Sequence, residues 1–205
     1  MDSYHGYRAD PLPEDLTGRF LRSFPPSPQE EIEVFCHRGS AILELENTPF
    51  NNCFVIGYVQ CGALDVAWDD GDARDLPRGS FALLRPRLRF AFACHEDAGE
   101  IVLVFFRKRL LYQTLLPFLG RSSSLLDFFI RCMETTSEDR LLHMAPPGNS
   151  RLHHALYALL IASFELAPDM EALKESCLAT LLIFFSRYYR QQHLNRGRKV
   201  DVEMI

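Results

Sequence analysis

Between Val55 and Phe106 the chain meets turn chemistry every few residues, and this spacing limits what it can fold into more than any other feature. Val55–Cys61 (VIGYVQC) runs apolar into Gly62. Ala63–Trp68 alternates Leu64, Val66 and Trp68 against Asp65 and Ala67, and Asp69-Asp70-Gly71-Asp72 then supplies residues that tolerate positive φ, which predicts a hairpin returning through Ala73–Leu76. Pro77-Arg78-Gly79 turns the chain into Ser80–Leu84, Arg85-Pro86 breaks it, and Phe90–Cys94 and Glu100–Phe106 make two further strands across His95–Gly99. Short antiparallel strands with such frequent turns predict a sandwich or a small barrel.

Upstream, Glu31–Cys36 and Ala41–Glu46 alternate as strands, and Asn47 to Asn52 reads as a loop. Residues 1–30 carry five prolines among polar residues and are expected to form an arm lying on the domain. After Phe106 the period changes. Leu110, Leu111, Leu115 and Phe118 recur at helical spacing, and Ser122–Ser124 can cap a helix carrying Leu125, Leu126, Phe129 and Met133. A loop around Pro146-Pro147-Gly148 precedes a helix from Arg151 to about Leu166, and Ala167-Pro168-Asp169 restarts a second from about Met170 to His193. Strands first and helices afterwards predict an α+β arrangement.

At 205 residues and 47% apolar, the chain can bury a sizeable core. Its net charge of -5 leaves no basic footprint for nucleic acid or an anionic membrane surface. Six dispersed cysteines include no C-x-x-C pair, which fits reduced thiols in a cytoplasmic protein. No stretch reaches the roughly 20 apolar residues of a membrane span, and no leader pattern opens the chain.

The run YVQCGALDVAWDDGDARDLPRGSFALLRPRLRFAF, followed by VLVFFRKRLL, resembles the cupin ligand-binding domain of arabinose-regulator (AraC) type transcription factors. The resemblance rests on Gly62, Pro77, Gly79, Phe81–Leu84, Pro86 and Phe105-Phe106-Arg107, and spans roughly Val34 to Tyr189. It implies a cupin-like jelly-roll barrel over 31–107 and a helical dimerisation subdomain with an antiparallel helix pair over 108–195. It also implies a non-catalytic, effector-sensing role. Residues 196–205 are then expected to open a linker towards a helix-turn-helix domain, which alone would contact DNA. A free-standing cupin isomerase or dioxygenase and a filled-barrel scaffold are the alternatives.

Metal-dependent cupins need several imidazole and carboxylate ligands converging on one ion. Asn51-Asn52-Cys53 and Phe90 stand where the resemblance would place histidines, so neither metal nor cofactor is expected. His95 lies in an acidic turn, and the adjacent His153 and His154 sit about 100° apart on a helix. By the same resemblance the effector pocket falls on Phe90, Phe92, Ile101 and Leu103, with Asn47 near its mouth. Four apolar positions imply an apolar or aromatic effector, or a filled core that binds nothing.

On the last helix Leu178, Leu181, Leu182, Phe185 and Tyr189 share one face, while Leu173, Cys177, Phe184 and Tyr188 share the adjoining one. So wide an apolar arc points either to a homodimer or to cover by the chain's own barrel. The dimer seam is expected at Leu178, Leu181, Phe185 and Tyr189, with Phe184, Cys177 and Tyr188 replacing them if the helix is rotated.

Overall fold

The computed structural model describes residues 30–38, 41–44, 49–68, 73–86, 90–94, 99–119, 124–132, 141–148, 150–164 and 170–202. Residues 1–29 of the expected arm, the Asp69–Asp72 turn, Met133 and Asn47 lie outside them. Nine strands form two antiparallel sheets among the described residues. One contains β1 (Ile32–Arg38), β8 (Glu100–Arg107), β3 (Cys53–Cys61), β6 (Phe81–Leu84) and β9 (Leu141–Met144), in that order. The other is ordered β2 (Ala41–Glu44), β7 (Phe90–Cys94), β4 (Ala63–Trp68) and β5 (Ala73–Pro77).

Helices follow the strands. The first, α1, begins at Lys108–Leu110, widens into a π-helical stretch over Leu111–Leu115 and closes at Leu116–Leu119. Then come α2 (Ser124–Arg131), α3 (Arg151–Phe164) and α4 (Met170–Val202). At 33 residues α4 is about 50 Å long, more than twice the length of its hairpin partner α3. The helix runs on past His193 to Val202, through the stretch expected to open a linker.

Strand β8 shows why the five-stranded sheet is central. Every residue from Glu100 to Phe106 is buried, because a strand covered on both faces needs no polar alternation. Ile101, Leu103 and Phe105 join the core facing the other sheet, while Val102, Val104 and Phe106 join the core under the helices. Strand β3 divides in the same way, with Val55 and Val59 on the first side and Phe54, Ile56 and Tyr58 on the second. The result is three layers, with sheet on sheet and helices on the outer face of the larger sheet.

Two glycines take the chain between the sheets. Gly62 (φ 77°) joins β3 to β4, and Gly79 (φ 81°) lies between β5 and β6. A Cβ is disfavoured at such φ values, so the Gly62 and Pro77-Arg78-Gly79 turns read from sequence are where the strands change layer. The second corner is stitched to β3: Ser80 N–H donates to the Pro77 carbonyl at 3.0 Å and Gly79 N–H to the Val59 carbonyl at 2.7 Å.

Candidate functional site

The space between the sheets is lined from both sides by hydrocarbon and aromatic groups. Val55 and Val59 of β3, Ala82 and Leu84 of β6 and Ile101 and Leu103 of β8 meet Leu64, Val66 and Leu76 of the smaller sheet. Of the expected pocket residues, Ile101 and Leu103 are brought together here, both almost fully buried. Phe90 and Phe92 lie on β7, where the backbone register pairs Phe92 with Val66 and Phe90 with Trp68.

One end of this space is closed by three rings. Phe35, Phe50 and Phe105 meet edge to face at centroid separations of 5.6, 5.4 and 4.8 Å. Phe50 comes from a short 3-10 turn, Pro49–Asn52, inside the segment read as a loop. Its full burial makes that segment a plug. At Gly57 an added Cβ would meet Leu103 at 3.7 Å and Leu64 at 4.0 Å, so the interior there could hold one more methyl group.

Among the described residues no three His, Cys, Asp or Glu side chains gather as a metal site would require. The buried thiols are poor ligands and poor nucleophiles. Desolvation, reinforced by Glu100, pushes Cys36 up to about 12; desolvation, partly offset by Arg107, pushes Cys53 up to about 11.

The other face of the five-stranded sheet carries polar chemistry under α3. Ser150 N–H donates to His153 Nδ1 at 3.2 Å, and Ser150 Oγ lies 2.8 Å from the same nitrogen. The imidazole is held edge to face against Tyr58 and Phe81, with centroids 5.3 and 5.2 Å away. Tyr157 OH donates to Gln60 Oε1 at 3.1 Å, at the residue where the β3–β8 register slips. On the opposite, inter-sheet side of the sheet, where His143 pairs in register with Ala82, His143 Nε2 lies 3.1 Å from the fully buried Ser80 Oγ, tying β9 to the start of β6. Burial of His153, with His154 beside it, lowers its pKa; burial of Tyr58, with Tyr157 nearby, raises that of the phenol.

A charged clasp joins the beginning of the described chain to the first turns of α4. Lys174, almost wholly buried on α4, binds Glu30 and, at 2.5 Å, Glu171. Burial opposes its charge, but the bonds to Glu171 and Glu30 leave its pKa raised. Glu31 meets Arg109 at 2.5 Å and Arg107 at 3.8 Å.

The expected dimer seam needs correction. Leu178, Leu181 and Phe185 are completely buried within the single chain's own core, so they are unavailable to a second copy. The arc is wide because the chain covers one side of it. Leu173 is 43% exposed, and Cys177, Phe184, Tyr188 and Tyr189 are half-buried. The outer face is therefore the one named for a rotated helix, with Tyr189 at its margin.

No family profile and no curated protein matches this chain in sequence. Its layered architecture does have a counterpart among solved structures. An apo variant of ToxT from Vibrio cholerae superposes over 78% of this chain and 56% of that one, at 12% identity and a TM-score of 0.53. The fold is shared with ToxT. The chain thus spans little more than half of that protein's length. Wild-type ToxT bound to an unsaturated fatty acid aligns over 78% and 54% at 12% identity and a TM-score of 0.45. Bacillus subtilis oxalate decarboxylase aligns over 38% and 22% at 20% identity and a TM-score of 0.31. These last two superpositions are too loose to bear on the fold.

Proposed function

We propose that this chain is the effector-sensing and dimerisation domain of an AraC-type transcription regulator, and that it is not itself a catalyst. The observation that carries the reading is the inter-sheet core, a largely apolar interior between two sheets, with helices on the outer face of the larger one. It offers contact surface to an apolar or aromatic molecule. Burying a sugar hydroxyl there without a partner would cost about 1–3 kcal/mol. DNA contact then belongs to a helix-turn-helix domain outside these 205 residues, in keeping with the net charge of -5. A second reading has its own support: the packed Phe35, Phe50 and Phe105 rings suit a filled core in an interaction scaffold.

The homodimer forms through the outer face of α4, around Leu173, Cys177, Phe184 and Tyr188. One self-complementary patch on a two-fold axis is enough to cover it. Light scattering of Phe184→Glu and Leu173→Glu tests this, with circular dichroism to confirm retained fold. A dimer at tens of micromolar that both changes convert to monomer supports the reading; an unmodified chain that is already monomeric there contradicts it.

A further inference from the structure

Ser150 and His153 bind each other three residues apart at the start of α3, as a reciprocal helix cap does. An amide N–H can only donate, so Nδ1 is the accepting nitrogen and the ring is neutral, with its proton on Nε2. A second proton would have to sit on Nδ1. The Ser150 hydroxyl could rotate to accept it, but the Ser150 amide would lose its acceptor in a buried place.

The surroundings offer the cation little help. From β3 the ring meets Tyr58, whose phenol stays neutral through burial, and from β6 it meets Phe81. On its own helix His154 is the adjacent ionisable group and acts against a second positive charge, while Arg151 is exposed. From β9 the ionisable side chain is His143, which is engaged with Ser80 on the opposite face of the sheet, and Arg78 in the turn before β6 acts on Tyr58. No carboxylate figures among the described groups that act on His153.

We infer that the Ser150–His153 cap is an acid-sensitive latch: proton uptake at His153 releases the first turn of α3 from the outer face of the five-stranded sheet. The latch stands independently of the effector-domain reading. Its energetic sense follows from the lowered pKa. The unfolded or released state binds the proton more readily, so closure is undisturbed above about pH 6.5 and weakens as pH falls below it. One proton taken up on opening makes the opening constant rise by at most about tenfold per pH unit.

Two measurements on the full chain test this. In an NMR titration, His153 is expected to take up its proton below pH 6.5, and the amides of residues 150–157 to shift with the same midpoint. In urea denaturation, the loss of stability from pH 7.5 to pH 5 should be smaller in His153→Gln than in wild type, and reduced less by His154→Gln, which removes only the neighbouring charge. Should His153→Gln fail to fold, the wild-type titration decides alone. A His153 midpoint at or above 6.5, or first-turn amides that ignore it, overturns the latch.

Discussion

The two faces of the five-stranded sheet solve burial differently. Towards the smaller sheet, Val55, Val59, Ile101, Leu103 and Phe105 meet a largely apolar cluster, with the His143–Ser80 contact and His37 on the same face of the sheet. Towards the helices, an equally apolar body is interrupted by Gln60 and His153, and edged by the Lys174 clasp. Apolar packing is non-directional and tolerates a changed occupant, whereas buried hydrogen bonds and ion pairs specify one arrangement. The hydrogen bonds and the ion pair on the helical side hold its cover in one position, and the proposed effector role rests on the apolar part of the inter-sheet side.

The comparison breaks first at the aromatic plug. Phe105→Ala removes a fully buried ring that contacts both Phe35 and Phe50, and should cost about 3–5 kcal/mol in urea denaturation. A loss under about 1 kcal/mol would mean the inter-sheet side is loosely packed. On the helical side, the double change Glu30→Gln with Glu171→Gln leaves the Lys174 ammonium with neutral partners in place of two half-exposed carboxylates and should cost about 1–2 kcal/mol. Lys174→Met, which leaves two partly exposed carboxylates free to hydrate, should cost far less. Equal losses in the two variants would show that the clasp does not depend on burial.

Thiols report on both faces at once, since Cys36 lies on the helical side and Cys53 on the inter-sheet side. Their pKa values are raised in the fold from 9.0 to about 12 and about 11, so the unfolded chain loses these protons first. Stability is unaffected below about pH 9 and falls as pH rises through the folded values, by about 1 kcal/mol for each thiol at pH 10. Comparing the pH 8 to pH 10 loss in Cys36→Ala and Cys53→Ala with wild type measures each share. A loss that neither change reduces would refute the assignment.

The smallest effect is expected at Gly57→Ala. The new methyl group meets Leu103 and Leu64 at ordinary contact distance, so thermal unfolding should shift little or upward. A marked drop would mean that the interior has no slack at this point.

Much of this was legible in the residues. The punctuation from Gly62 to Gly79 marked the corners, and the unbroken apolar run in β8 and the 3.6-residue period of the helices marked the elements. What escaped depended on distant partners. Strand β9 is four residues, LLHM, with no turn chemistry of its own, and is a strand only because β6 offers it an open edge. Phe50 in a Pro-Asn loop gave no hint that it plugs the space beside Phe35 and Phe105. On α4 the periodicity defined two apolar faces but could not say which of them the sheet and helices would cover. The Ser150-x-x-His153 spacing was a local signal for the cap, present beside a pair of histidines weighed only as metal ligands.

The central claim is that the space between the sheets receives an apolar molecule. Isothermal titration of the chain with an unsaturated fatty acid, an aromatic hydrocarbon and a free sugar tests it most directly, repeated with Leu103→Trp to fill the space. The account predicts saturable binding of an apolar probe, none of the sugar, and loss of that binding in a folded Leu103→Trp. Tight sugar binding, or apolar binding that Leu103→Trp leaves intact, would contradict it.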